Sequence, residues 1–177
     1  RARGVPQRGR PVHSGREIPM KVVRKGGTEK IQAALKNVGS KQIRVGFFPE
    51  SKYPDGAPIA YVAAIQEFGY PQGNIPARPF MRPTAEQKKS EWGRQIAGAV
   101  RGAIDGKVDV VQAFEALGAR SAGDIARTIS RVTSPPLKKS TLQARQSRKK
   151  TPGVSKKPLV DTGQMIQAVT HVVEDKS

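Results

Sequence analysis

Apolar positions along the first seventy residues switch between two periods. In 17–24, Ile18, Met20 and Val22 alternate with polar neighbours, which predicts a strand. Lys25-Gly26-Gly27 turns the chain. Ile31, Leu35 and Val38 then recur at helical spacing, so 28–39 reads as a short helix with Thr28 as N-cap and Gly39 as its stop. Ile43, Val45 and Phe47 return to alternation and predict a strand over 41–48. Residues 49–58 are a loop turned by Pro54-Asp55-Gly56. Helical spacing resumes at 59–69, where Tyr61, Ile65 and Phe68 align and Gly69 can end the helix.

Prolines interrupt the pattern next. Residues 70–83, YPQGNIPARPFMRP, can form neither an interior helix nor a central strand, because proline removes a donor and fixes φ. Thr84 and Gln87 fit a capping box for a helix carrying Trp92, Ile96, Val100 and Ile104. Gly93, Gly98 and Gly102 sit inside that helix; they either loosen it or let a neighbouring backbone approach. Gly106 ends it. Asp109 and Gln112 can cap a further helix through Val110, Phe114, Leu117, Ile125 and Ile129 to about Val132, before Pro135-Pro136. A basic connection over about 133–158 has little apolar content. Asp161-Thr162-Gly163 then turns the chain into one helical turn and a last strand, with Val169, His171 and Val173 on one face and Val172 on the other. The order β-α-β-α-loop-α-α-loop-β predicts an α+β fold: a small, mainly antiparallel sheet covered by helices. Residues 1–16, without periodicity, read as an extended basic arm, and 17–177 as one domain.

Charge sharpens this division. The 177-residue chain carries +18 at pH 7. Residues 1–30 hold a net +7 and residues 131–157 a net +9. Such runs lie in solvent, on a polyanion or on an acidic partner. The rest is near neutral, like an ordinary globular domain. The sequence has no cysteine, which rules out disulfides and thiolate metal sites. His13 and His171 are far apart and no metal-ligand spacing surrounds them, so no cofactor or metal is expected. No apolar run is long enough to span a membrane, and the basic N-terminus lacks the apolar stretch of a secretory signal.

One string suggests catalysis. Leu159-Val160-Asp161-Thr162-Gly163 matches the active-site string of aspartic proteases, in which two such carboxylates share a proton. Here Gln164 follows where those enzymes usually carry Ser or Ala, and the chain reads as helical rather than strand-rich. A helix-capping turn accounts for the same residues. The glycine-containing stretches lack phosphate-loop spacing, and neither histidine has a defensible Ser or Asp partner. The basic runs suit phosphate contact, but they lack interleaved aromatics and no nucleic-acid-binding motif stands out. An enzyme is therefore not expected. A basic nucleic-acid-binding or packaging protein is the alternative to a protein-binding role.

Residues 59–84, IAYVAAIQEFGYPQGNIPARPFMRPT, narrow the choice. Tyr61, Ala63, Ile65, Glu67, Phe68 and Gly69, followed by Ile75, Pro76, Arg78, Pro79, Phe80, Arg82 and Pro83, resemble the signature of a family of small tailed-bacteriophage morphogenesis proteins: neck, head–tail joining, tail-completion or minor tail proteins. SPPLKKSTLQARQSRKK (134–150) and KPLVDTGQMIQAV (157–169) are similar to two further family segments, in the same order. The resemblance makes Asp161, Thr162 and Gly163 a structural corner. It implies a structural virion protein without enzymatic activity, found in the virion neck or tail and in the host cytoplasm during assembly. It also implies closed rings of six or twelve copies that join head to tail or complete the tail. The implied partners are further copies, a portal or adaptor ring, and tail terminator or tail tube proteins. On this reading Ile75, Pro76, Arg78, Pro79, Phe80, Arg82 and Pro83 form a stiff docking loop. Phe80 would anchor in a partner's pocket and Arg78 and Arg82 would fork onto carboxylates. Burial of Ile75 and Phe80 under their own domain is the other reading. The basic residues Arg1, Arg3, Arg8 and Arg10 in the arm would reach neighbouring subunits or touch DNA in the channel. So would Lys138, Lys139, Arg145, Arg148, Lys149 and Lys150 in the connection.

Overall fold

The computed structural model describes residues 27–148 and 155–176. The strand expected at 17–24 and the arm at 1–16 lie outside them. The described chain is α+β, as expected: six helices and one two-stranded antiparallel sheet. The elements are α1 (Gly27–Gly39), β1 (Lys41–Gly46), α2 (Ile59–Phe68), a 3₁₀ turn (Pro71–Gly73), α3 (Met81–Ile104), α4 (Val110–Arg131), α5 (Lys139–Gln146), α6 (Gln164–Gln167) and β2 (Thr170–Asp175).

The sheet joins the first and last of these strands. Lys41 pairs with Asp175 and Gly46 with Thr170. Lys41 and Asp175 form an ion pair at 2.7 Å, and Glu174 accepts from Gln42 and Arg44. This register places Ile43 opposite Val173 and Val45 opposite His171, on the face that packs against α4. Val172 projects to the other face, as its alternation predicted.

α4 is the central helix. Its stripe of Val110, Phe114, Leu117, Ile125 and Ile129 is buried, and the Asp109 side chain accepts the Gln112 N–H, as expected. Gly118 faces the sheet: a Cβ there would lie 2.3 Å from Cδ2 of His171, so only glycine lets the strand settle on the helix. The core gathers Ile59, Ala63, Phe80, Ile125, Ile129, Leu159 and Met165, with Val45 and Phe47 against it. Trp92 Nε1 donates to Asp124 at 3.0 Å, and the Thr84 and Thr128 hydroxyls share a hydrogen bond at 2.6 Å. These bonds tie α3 to α4 across the interhelical seam.

Five expectations change. Thr28 is inside α1 rather than capping it, and Ile31 and Leu35 of its apolar stripe are exposed. α2 buries Ile59, Ala63 and Glu67, while Tyr61 and Phe68 face outward. The small Ala63 permits close packing under Phe80, and the buried carboxylate of Glu67 serves the next helix. α3 begins at Met81, not after Thr84. The basic connection contains α5, whose Arg145 is buried. Neither Asp161 nor Thr162 caps α6; its N-cap is Gly163, at φ +81°. Among the three glycines of α3, Gly93 and Gly98 face open space, whereas Gly102 makes room for Val108 of the following turn.

Candidate functional site

The signature residues of 61–83 build one self-locked unit around Glu67. The first turn of any helix leaves backbone N–H groups without partners. In α3 they are Phe80, Met81 and Arg82; Pro83 has none to satisfy. The Glu67 carboxylate accepts all three, at 2.6, 2.9 and 3.1 Å. A side chain from the last turn of α2 thus caps α3.

Arg82 completes the arrangement. Its Nε meets Glu67 Oε1 at 3.0 Å and its Nη2 donates to the Glu67 carbonyl at 3.1 Å. Its guanidinium lies over the Phe68 ring, 5.0 Å from the centroid. Burial pushes the Glu67 carboxyl upward, but the three amides and the guanidinium outweigh it and hold the group below the ordinary carboxylate range.

The intervening loop is pinned at its base. Tyr70 and Ile75 exchange backbone hydrogen bonds at 2.8 and 3.0 Å. Gly69 adopts φ +80°, and a Cβ there would lie 2.9 Å from the Ala77 nitrogen, so the position requires glycine. Arg78 is buried: its Nε and Nη2 donate to the carbonyls of Pro135 and Pro136 at 2.8 and 3.2 Å, and its Nη1 to Gln66 at 3.1 Å. Burial and the neighbouring Arg145 lower its pKa. Phe80 has no exposed surface and meets Phe47 edge to face at 6.0 Å.

This geometry corrects the docking-loop expectation. Phe80 anchors in the core of its own domain, and Arg78 spends its donors on its own chain. Arg82 is exposed but bound to Glu67. Pro83 lies in the first turn of α3, Ile75 is half-buried, and Pro76 and Pro79 are exposed. The surface this unit presents is made by other residues. Phe68 is 67% and Tyr61 62% exposed, and Tyr70 is also exposed. Beside Phe68 runs an open apolar groove of about 370 Å³, walled by Phe48, Ala60, Ala64 and Phe68 and rimmed by Arg44 and Arg82.

The basic set divides in the same way. Lys138 and Lys139 are exposed. Arg145 instead points inward, with Nη1 3.0–3.2 Å from the carbonyls of Ser155, Lys157 and Val160 and Nη2 3.1 Å from that of Pro158. Arg148 sits 2.6 and 2.5 Å from the two oxygens of Asp161, and Arg145 Nε is 3.5 Å from the nearer one. Asp161 therefore acts as an anchor for two arginines, and the corner turns at Gly163. Burial, Asp161 and Asp55 raise the pKa of the neighbouring Tyr53. Arg1, Arg3, Arg8, Arg10, Lys149 and Lys150 lie outside the described residues.

Local spacing does not mark Glu67 as a capping group or Phe48, Phe68 and Arg44 as surface. One signal was present: a proline two residues after Met81 marks a helix's first turn and sets its start ahead of Thr84. The partner of that turn comes from another helix and leaves no local pattern.

No family model matches the chain, and neither a curated protein nor a solved structure gives a significant match.

Proposed function

We propose that this chain is a structural subunit of a tailed-phage neck or tail end, acting by protein–protein binding in a ring that joins head to tail or completes the tail. The observation that carries the proposal is the unit built by residues 61–83. The residues behind the family resemblance lock this unit to its own chain: Glu67 and Arg82 clamp the start of α3, Arg78 pins the loop to Pro135 and Pro136, and an aromatic and apolar surface beside the clamp stays open to solvent. Rigid aromatic anchors beside arginines are the composition that protein interfaces favour. Partners on this reading are further copies of the chain, a portal or adaptor ring, and tail terminator or tail tube proteins.

Light scattering tests it. The purified protein is measured alone and with tails or heads of the phage that encodes it. A ring-sized mass, alone or only with the partner, is the expected result. A monomer in both conditions overturns the reading.

One observation favours a nucleic-acid reading as the alternative. Lys138 and Lys139 are exposed and form no ion pair among the described residues, as do Arg94 and Arg131. A monomer that binds duplex DNA with steep salt dependence would establish that alternative.

A further inference from the structure

We propose that neighbouring subunits of the ring join head to tail, with the α3–α4 turn of one copy seated in the Phe68 groove of the next. The proposal rests on the ring reading and names its contact.

The groove is a socket of defined chemistry. Its walls are aromatic and small apolar side chains, its floor includes Phe47 and Phe80, and two arginines rim it. Arg44 commits Nη1 to Glu174, and Arg82 commits Nε and Nη2 to Glu67. Arg82 Nη1 and Arg44 Nε and Nη2 have no partner among the described residues. The occupant it suits is apolar at the tip and carries carboxylates at the sides.

The turn between α3 and α4 has that chemistry. Val108 and Val111 are about two-fifths exposed, at 41% and 40%, on an otherwise polar tip. Asp105 and Asp109 flank Val108, with Lys107 between, and Val111 follows in the first turn of α4. Lys107 Nζ meets Asp105 Oδ2 at 3.3 Å, and Asp109 Oδ1 accepts the Gln112 N–H, which leaves one oxygen of each carboxylate for a guanidinium. The tip is also stiff. Lys107 and Val108 both donate backbone bonds to Gly102, Gly106 turns at φ +71°, and Val108 packs where a Gly102 side chain would stand. A stiff knob loses little entropy on docking.

Position forbids the contact within one chain. Met81 and Arg82, at the start of α3, line the socket, and the knob follows Ile104 at its end. A helix of 24 residues is about 36 Å long. Knob and socket therefore sit at opposite ends of the same rod and can meet only between copies. A contact between two different surfaces is heterologous, which generates closed rings when the rotation closes.

The absence of cysteine in the sequence makes the test direct. Phe68→Cys and Val111→Cys are made separately in the full chain, and both side chains are exposed enough for substitution without loss of fold, checked by circular dichroism. Under mild oxidation, the mixture of the two variants should give a disulfide-linked dimer well above either variant alone. The double variant should give a ladder ending at the ring size found by light scattering. An oligomer that yields no 68–111 bond, or a Phe68→Cys variant that crosslinks to itself equally well, overturns this contact and leaves the ring reading standing. A protein that stays monomeric with its phage partners and forms no crosslink overturns both.

Discussion

Glu67 is a buried carboxylate that holds three backbone amides and one guanidinium. Replacing it with glutamine keeps the shape but removes the charge and one acceptor. Glu67→Gln should cost about 2–3 kcal/mol at neutral pH, read by urea denaturation. The pH dependence has a definite sign. Because folding lowers the Glu67 pKa, its contribution is complete above the unfolded-state value of about 4.5 and is lost as pH falls through the folded value. Wild type should therefore lose more stability between pH 6 and pH 3.5 than Glu67→Gln does. Equal losses would show that the carboxylate charge is not what α3 needs. Phe80→Ala empties a site with no exposed surface and should cost about 3–5 kcal/mol. A Phe80→Ala protein as stable as wild type, but defective in assembly, would restore that residue to an interface.

Element packing turns on how closely β2 approaches α4. His171 lies against Gly118, and its Nε2 is 2.8 Å from Glu115 of the same helix. Gly118→Ala places a methyl against the imidazole base, where the strand has no flexible end to yield. A loss of about 1–3 kcal/mol is expected, even though alanine favours helix. The paired variant Gly118→Ala with His171→Ala should recover part of it, so a double-mutant cycle by thermal unfolding checks the contact. Strict additivity would mean that the two elements do not touch there. α5 is the element the residue pattern concealed. Its eight residues have too few apolar positions to show periodicity, and its anchor is a buried arginine rather than an apolar stripe.

At the scale of the whole molecule, the two proposed roles separate by salt. Rigid apolar docking is expected to survive 200 mM salt, whereas DNA held by about six phosphate contacts should bind about a thousandfold more weakly there than at 50 mM. Light scattering and a DNA-binding titration across that range measure both. The described residues carry 22 Lys and Arg against 13 acids, so the folded part is itself basic. Three of those cations are not available to a ligand, because Arg78, Arg145 and Arg148 are spent on carbonyls and on Asp161.

The residue pattern alone determined the α+β class, the faces of both strands, the stripe and cap of α4, and the turns at Gly69, Gly106 and Gly163. Each follows from local rules: alternation, helical spacing, or a backbone that only glycine tolerates. Tertiary structure alone decided which face of α2 is buried. Tyr61 and Phe68 looked like the core face because they are large. Ala63 and Glu67 won because α3 needs close packing and a carboxylate at its start. The pairing of β1 with β2 was equally hidden, since its partners lie at opposite ends of the described chain. A capping group, a strand partner and a buried guanidinium are all satisfied by residues distant in sequence, and spacing along a chain records only neighbours.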